Sequence, residues 1–112
     1  MNNDAVDTGK KVTFCGFKCD VFKDKYRNNG RTALLLIASD DDSEKEIFKG
    51  EDIATATCNL TDEDINPACV CIKDWSESEG MVDILMDASV VSQPVKFVSS
   101  GHVQVPVCFL LV

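Results

Sequence analysis

Short apolar stretches, each separated by polar or turn-forming residues, recur along this chain and limit its elements to the length of a strand. Residues 17 to 21, FKCDV, place three apolar residues on one parity and two charged residues on the other. This alternation is typical of a strand with one face in water. The longest apolar stretches, residues 33 to 38 and 105 to 112, fall far short of the roughly 20 residues that span a bilayer. The sequence therefore favours a β-rich fold and no association with a membrane.

Turn-forming residues divide the chain into predicted strands. Gly16 is expected to interrupt a first strand region, residues 11 to 26, with a turn or bulge. Asn28-Asn29-Gly30 then closes a hairpin, because these residues tolerate positive φ. Pro106 indicates an edge strand or a bulge near the end of the chain. Further strands are predicted at residues 31 to 39, 53 to 60, 68 to 73, 95 to 98 and 103 to 111.

One segment has helical periodicity instead. Apolar residues at 81, 84, 85 and 88 share a face that excludes Asp83 and Asp87, which predicts an amphipathic helix at about residues 77 to 89. Ser76 and Glu79 match a capping box at its start, and Ser78 is an alternative cap.

Strands followed by one helix and then by more strands indicate an α+β domain. We expect an antiparallel β-sheet of about five or six strands with the helix packed on one face. The chain of 112 residues is long enough for one such domain, residues 10 to 112, after a flexible tail at residues 1 to 9.

Six cysteines raise the question of compartment. The first residues lack the apolar region of a signal peptide, so we expect a soluble, cytoplasmic protein whose cysteines are reduced and lie in the core. Disulfides and a metal site are the alternatives, although the C-x3-C and C-x-C spacings are poor zinc signals. We predict neither a metal ion nor a cofactor.

Charge is distributed unevenly around the net value of −8. Residues 10 to 31 carry seven Lys or Arg against two acids, whereas residues 32 to 112 carry four against fifteen. The acidic majority makes direct binding to nucleic acid unfavourable and favours a positively charged protein partner. The most acidic segment, residues 40 to 52, has a weak likeness to a calcium loop, but a solvated loop is the better interpretation.

Catalytic patterns are sparse. His102 follows a Ser-Ser-Gly turn with no nucleophile near it in the sequence, and no serine lies in a G-x-S-x-G motif. The sequence therefore predicts a binding protein instead of an enzyme.

The segment IKDWSESEGM, residues 72 to 81, is the strongest candidate for a binding site. It contains the only tryptophan, which either closes the core or anchors an interface, since tryptophan among polar groups is common at binding hot spots. An alternative function is the binding of a small ligand or nucleotide in a pocket between helix and sheet, near the lysine and tryptophan of this segment. The candidate binding residues are Lys73, Asp74, Trp75, Glu77 and Glu79.

Four stretches of the chain carry a resemblance to a known group of proteins. They are NGRTALLL (29 to 36), IATATCNL (53 to 60), VCIKDWSESEGMVDIL (70 to 85) and SGHVQVPVCFLL (100 to 111). The chain resembles a family of small, uncharacterised bacterial proteins, a domain of unknown function common in phages and mobile elements. Members usually have tyrosine at position 75 and a shorter link than residues 40 to 52. The resemblance implies an accessory protein of a phage or mobile element that acts by binding.

Overall fold

The computed structural model describes residues 5 to 112, which form seven strands and one short α-helix. The α+β class and the antiparallel pairing are confirmed, but the strands form two sheets instead of one, ordered β1-β2-β3-β4 and β5-β7-β6. A turn of 3-10 helix, Ser76–Ser78, precedes helix α1, Met81–Asp87. The strands are β1 Val6–Phe14, β2 Phe17–Lys25, β3 Thr32–Ala38, β4 Asp52–Thr55, β5 Cys69–Cys71, β6 Val91–Ser100 and β7 Val103–Leu110.

The first hairpin starts earlier than expected. Strand β1 includes residues 6 to 9, which belonged to the predicted tail, while residues 1 to 4 of that tail lie outside the described part of the chain. The register of β1 against β2 shifts between Asp7 and Lys11, and Gly9 has a φ of 81°. This bulge interrupts the period-two alternation, which explains why the sequence pattern did not predict the start of the strand.

A strip of backbone beyond β4 joins the two sheets. Thr57 forms an isolated antiparallel bridge with Ile72, the residue that follows β5. The backbone N–H of Lys73 donates to the carbonyl of Ala56 at 2.9 Å, and that of Cys58 donates to Cys71 at 3.0 Å. Helix α1 contacts both β1 and β6. The helix therefore bridges the outer strands of the two sheets, on the side away from the backbone junction.

Two clusters of apolar side chains fill the domain. The main cluster lies between the sheets and includes Leu34 and Leu36 of β3 and Met81 and Leu85 of α1. A second cluster covers the opposite face of the β5-β7-β6 sheet, under a loop at residues 58 to 67. Alternate residues of β5 point into the two clusters: Val70 into the main one, and Cys69 and Cys71 into the second. Strand β5 is thus buried on both faces, which explains why residues 69 to 71 are all apolar.

Pro106 lies in the central strand of its sheet, so the expectation of an edge strand is wrong. Its carbonyl oxygen accepts a hydrogen bond of 2.9 Å from Ile72, so its ring nitrogen faces the same side. The paired residues of β5 end at Cys71, one position short of Pro106. The missing N–H therefore costs the sheet only one bond, at the point where β5 already ends.

The predicted helix at residues 77 to 89 is wrong in its bounds. Gly80, in the left-handed conformation at φ 92°, separates the 3-10 turn from α1, and no side chain at the cap position of either element makes a capping bond. The expected capping box of Ser76 and Glu79 is therefore not formed. Ser89, at φ 59°, follows the C-terminal end.

All six cysteines are free in the structure. Cys19, Cys69, Cys71 and Cys108 are buried and Cys58 is half-buried, as expected for core thiols. Cys15 differs, because it is exposed in the tight turn between β1 and β2. No helix within residues 5 to 112 is long and apolar enough to cross a membrane.

Candidate functional site

The structure gives most of the predicted binding residues local structural contacts. Trp75 is half-buried and packs against the second apolar cluster, on the face of the β5-β7-β6 sheet that points away from α1. Its ring therefore lies away from the contact between helix and sheet. Instead it extends the smaller core under the loop at residues 58 to 67.

The charged neighbours of Trp75 support the start of α1. Asp74 Oδ1 accepts a hydrogen bond of 3.3 Å from the backbone N–H of Val82, in the first turn of the helix. Lys73 Nζ lies 3.2 Å from Glu77 Oε1. The backbone N–H of Glu77, the hydroxyl of Ser76 and the ammonium of Lys73 together lower the pKa of the Glu77 carboxyl to about 2. Only Glu79 of the predicted acids has no side-chain partner within residues 5 to 112.

The acidic loop, residues 40 to 51, is well ordered by its own backbone contacts. Asp42 and Ile47 exchange two backbone hydrogen bonds, of 2.8 and 3.0 Å. The loop is also attached to β3, since the N–H of Gly50 donates to the carbonyl of Ala38 at 2.9 Å. Among residues 5 to 112, no group of three or more His, Cys, Asp or Glu side chains is placed to hold a metal ion. The backbone contacts therefore make the loop a fixed surface feature.

Lys45 fixes the acidic loop to the first hairpin. Its Nζ donates a hydrogen bond of 2.7 Å to the carbonyl of Gly16 and lies 4.8 Å from the centre of the Phe17 ring. It also lies 3.7 Å from Asp42 Oδ2. One of the two lysines in this loop is thus committed to holding the loop in position.

Phe48 is the most exposed large apolar side chain that the structure describes. Its relative exposure is 67%, and its backbone N–H donates to Glu51 Oε1 at 3.3 Å. The acidic loop around it contains six carboxylates and two lysines. The side chains of Glu44 and Glu46 are exposed and have no hydrogen-bond or ion-pair partner in the described chain. The loop therefore presents an aromatic ring within an acidic surface.

A cavity of about 810 Å³ opens at the other end of the first sheet. Its walls include three cationic side chains, and Asp24 is the one carboxylate among the residues that line it. The cations are Lys23, Lys25 and Arg27, and we call the cavity the basic cleft. Its remaining lining residues are Val6, Tyr26, Gly30 and Thr32. Neither Lys73 nor Trp75 lines this cleft, so it lies elsewhere than the pocket predicted near them.

The sequence held a signal for this cleft that the charge distribution alone did not reveal. Cys19 and Val21 of β2 point into the main cluster, and Lys23 and Lys25 continue the same parity. Cations on the inward face of a strand mark the place where the apolar core ends and a polar cleft begins. The position of the cleft also depends on the pairing of β2 with β3, which the alternation of one strand does not show.

Comparison with known proteins adds no family to this description. No protein-family model matches the chain, and neither a curated protein nor a solved structure is significantly similar to it.

Proposed function

We propose that this chain is a cytoplasmic, non-catalytic binding module that engages a protein partner through the acidic loop, with Phe48 as the apolar anchor. The partner is a basic protein whose Lys and Arg side chains surround an apolar pocket. A protein that handles nucleic acid has such a surface, and the loop carboxylates would take the place of phosphates. The resemblance to phage and mobile-element proteins suggests a host complex as the target, with inhibition as the outcome.

The observation that carries the proposal is the exposure of Phe48 on a loop that is itself fixed. An aromatic ring left in water forgoes the roughly 2 kcal/mol that burial of such a side chain provides. Aromatic anchors on preorganised loops bind well because little conformational entropy is lost on association. The carboxylates around the ring then select a cationic partner and accelerate encounter with it.

Affinity purification from the native host, followed by quantitative mass spectrometry, tests the proposal. We expect the wild-type chain to recover a basic protein, and Phe48→Ala to weaken that complex by at least about 30-fold, as for an aromatic hot spot. Phe97→Ala is the matched control, because Phe97 is also an exposed phenylalanine, at 58%. The Phe97→Ala variant should bind the partner with the affinity of the wild type.

A second pair of variants separates the acidic loop from the segment that the sequence favoured. Glu44→Lys and Glu79→Lys make the same charge change at exposed residues, one in each region. The proposal requires that Glu44→Lys weaken the complex and that Glu79→Lys leave it intact. The reverse result would move the interface to the surface beside Trp75, and recovery of no partner at all would end the proposal.

A second candidate function is favoured by a separate observation. The basic cleft has the volume and the charge of a small-ligand site. Binding of a small ligand was the alternative function considered from the sequence, but the cleft lies in a different part of the fold from the pocket predicted there.

A further inference from the structure

We propose that the basic cleft binds a small phosphorylated molecule of the nucleotide class. The inference develops the second candidate function and does not depend on the acidic loop. The volume of about 810 Å³ lies within the range of sites for small ligands and cofactors, roughly 300 to 1,000 Å³.

The cationic side chains of the cleft come from two adjoining parts of one hairpin. Lys23 and Lys25 lie two positions apart on the same face of β2, which separates their Cα atoms by about 6.6 Å. Arg27 begins the turn that follows β2. One guanidinium and two ammonium groups suit a phosphate chain, which Arg binds through paired hydrogen bonds and Lys as a point charge.

Within residues 5 to 112, no Asp or Glu side chain forms an ion pair with these three cations. Lys23 Nζ donates to the main-chain oxygen of Val112 at 3.1 Å. Asp24 Oδ1 is occupied by the backbone N–H of Lys25 at 2.8 Å. The side chains of Lys25 and Arg27 make no hydrogen bond or ion pair within residues 5 to 112. An anionic ligand would relieve the mutual repulsion of the three cations, which gives it a binding energy beyond each single contact.

Tyr26 supplies an aromatic wall beside the cations. Its hydroxyl and the Oγ1 atom of Thr57 form a hydrogen bond of 2.9 Å, which fixes the ring. The ring is half-buried and lines the cleft. Gly30 leaves open space where a side chain would otherwise stand, since a Cβ there would meet no atom within 4 Å. A planar base can therefore pack near Tyr26 while its phosphates contact the cations.

The rest of the surface restricts the ligand to a small one. The balance of charge after residue 31 is four cations against fifteen acids, so a long polyanion would be repelled outside the cleft. The acidic loop lies at the far end of β3, about 20 Å away for seven residues of strand. The cleft and the loop can therefore be tested independently.

Titration followed by amide NMR shifts tests the proposal with ATP, inorganic pyrophosphate, adenosine and a single-stranded oligonucleotide as probes. We expect ATP to shift the resonances of residues 23 to 32 and to bind more tightly than pyrophosphate, while adenosine binds weakly. No shift with ATP would overturn the proposal. Equal affinity for pyrophosphate would overturn the nucleotide assignment, and tighter binding of the oligonucleotide would replace it with a polynucleotide.

Charge-removing variants provide the control. Lys25→Gln with Arg27→Gln should weaken ATP binding by at least about tenfold, because two charge-assisted contacts are lost. Lys18→Gln with Lys96→Gln removes the same charge from side chains that do not line this cleft and should leave the affinity within about twofold. Similar losses in both double variants would show a general charge effect and overturn the assignment of the site. Each variant's NMR spectrum verifies its fold.

Discussion

Asp74 Oδ1 accepts the backbone N–H of Val82 at 3.3 Å, so a residue eight positions earlier caps the first turn of α1. The residue at the cap position, Gly80, has no side chain that could do so. We expect Asp74→Ala to lower the free energy of unfolding by about 1 kcal/mol, the usual cost of losing a capping side chain. Urea denaturation measures it. Glu79→Ala, in the same segment, should change stability by less than about 0.5 kcal/mol, and an equal loss in both variants would contradict the capping role.

Trp75 is expected to act as a core residue of the second cluster. Trp75→Ala should destabilise the protein by about 2 kcal/mol, below the 3 to 5 kcal/mol of a fully buried tryptophan because the ring is half-buried. Trp75→Phe should recover most of that loss by refilling the contact. Thermal and urea denaturation followed by circular dichroism measure both variants. If Trp75→Ala were as stable as the wild type, Trp75 would not be a core residue, and the result would support its alternative role as an interface anchor.

Local patterns predicted those parts of the fold that depend on local interactions. The turn at Gly16 and the hairpin after β2 both follow from alternation and turn residues. The start of α1 was not predicted correctly. The pair Ser76 and Glu79 is typical of a helix cap, but the sequence pattern does not show whether the following Gly80 adopts positive φ. In the structure Gly80 does so at 92° and ends the preceding turn.

The candidate site shows the same division between local and long-range information. The sequence predicted a binding site at a group of charged residues, Lys73, Asp74 and Glu77. In the structure Lys73 pairs with Glu77, and Asp74 accepts a hydrogen bond from Val82, so these side chains have local structural roles. The cleft depends on Lys23 and on Thr32, which lie on different strands and meet only through the pairing of β2 with β3. The alternation in β2 predicts that Lys23 lies on the same face as Cys19 and Val21. It does not predict that the apolar core ends beside Lys23.

Cys15 stands where a tight hairpin favours asparagine. Cys15 and Gly16 both have positive φ, 51° and 81°, as in a two-residue turn of type I′. A non-glycine residue in this region costs about 1 kcal/mol, and asparagine reduces that cost through its local hydrogen bonds. We expect Cys15→Asn to raise the free energy of unfolding by about 0.5 to 1 kcal/mol. Urea denaturation under reducing conditions measures it, with Cys15→Val, which should destabilise, as the opposite control.

Buried thiols should make the fold sensitive to alkali. Burial raises the pKa of Cys19, Cys58 and Cys108 from 9.0 to about 11. The unfolded chain therefore releases these protons near pH 9 while the folded protein retains them. Their contribution to stability is complete below pH 9 and is lost as the pH rises from 9 to about 11. Urea midpoints across that range should fall, and they should fall less in Cys108→Ala than in the wild type; parallel curves would contradict the buried-thiol explanation.

Arg31 holds the loop that covers the second cluster. Its Nη1 and Nη2 atoms donate to the carbonyls of Leu60 and Glu63, at 2.6 and 2.5 Å. A lysine has one ammonium group and cannot reproduce this planar, two-point contact, so Arg31→Lys should lower the free energy of unfolding by about 1 kcal/mol. The loss should be local: amide hydrogen exchange at residues 58 to 67 should accelerate while exchange in β2 and β3 changes little.

Arg27→Lys is the matched control for this prediction, because the Arg27 side chain makes no hydrogen bond or ion pair within the described chain. It should leave exchange in the loop unchanged. The loop carries Leu60 and Ile65 onto the cluster that also contains Trp75. Its release in Arg31→Lys should therefore shift the emission of Trp75 to longer wavelength, since water gains access to the ring. Faster exchange spread evenly over the whole domain would instead show that Arg31 supports the fold globally and that the loop has no independent stability.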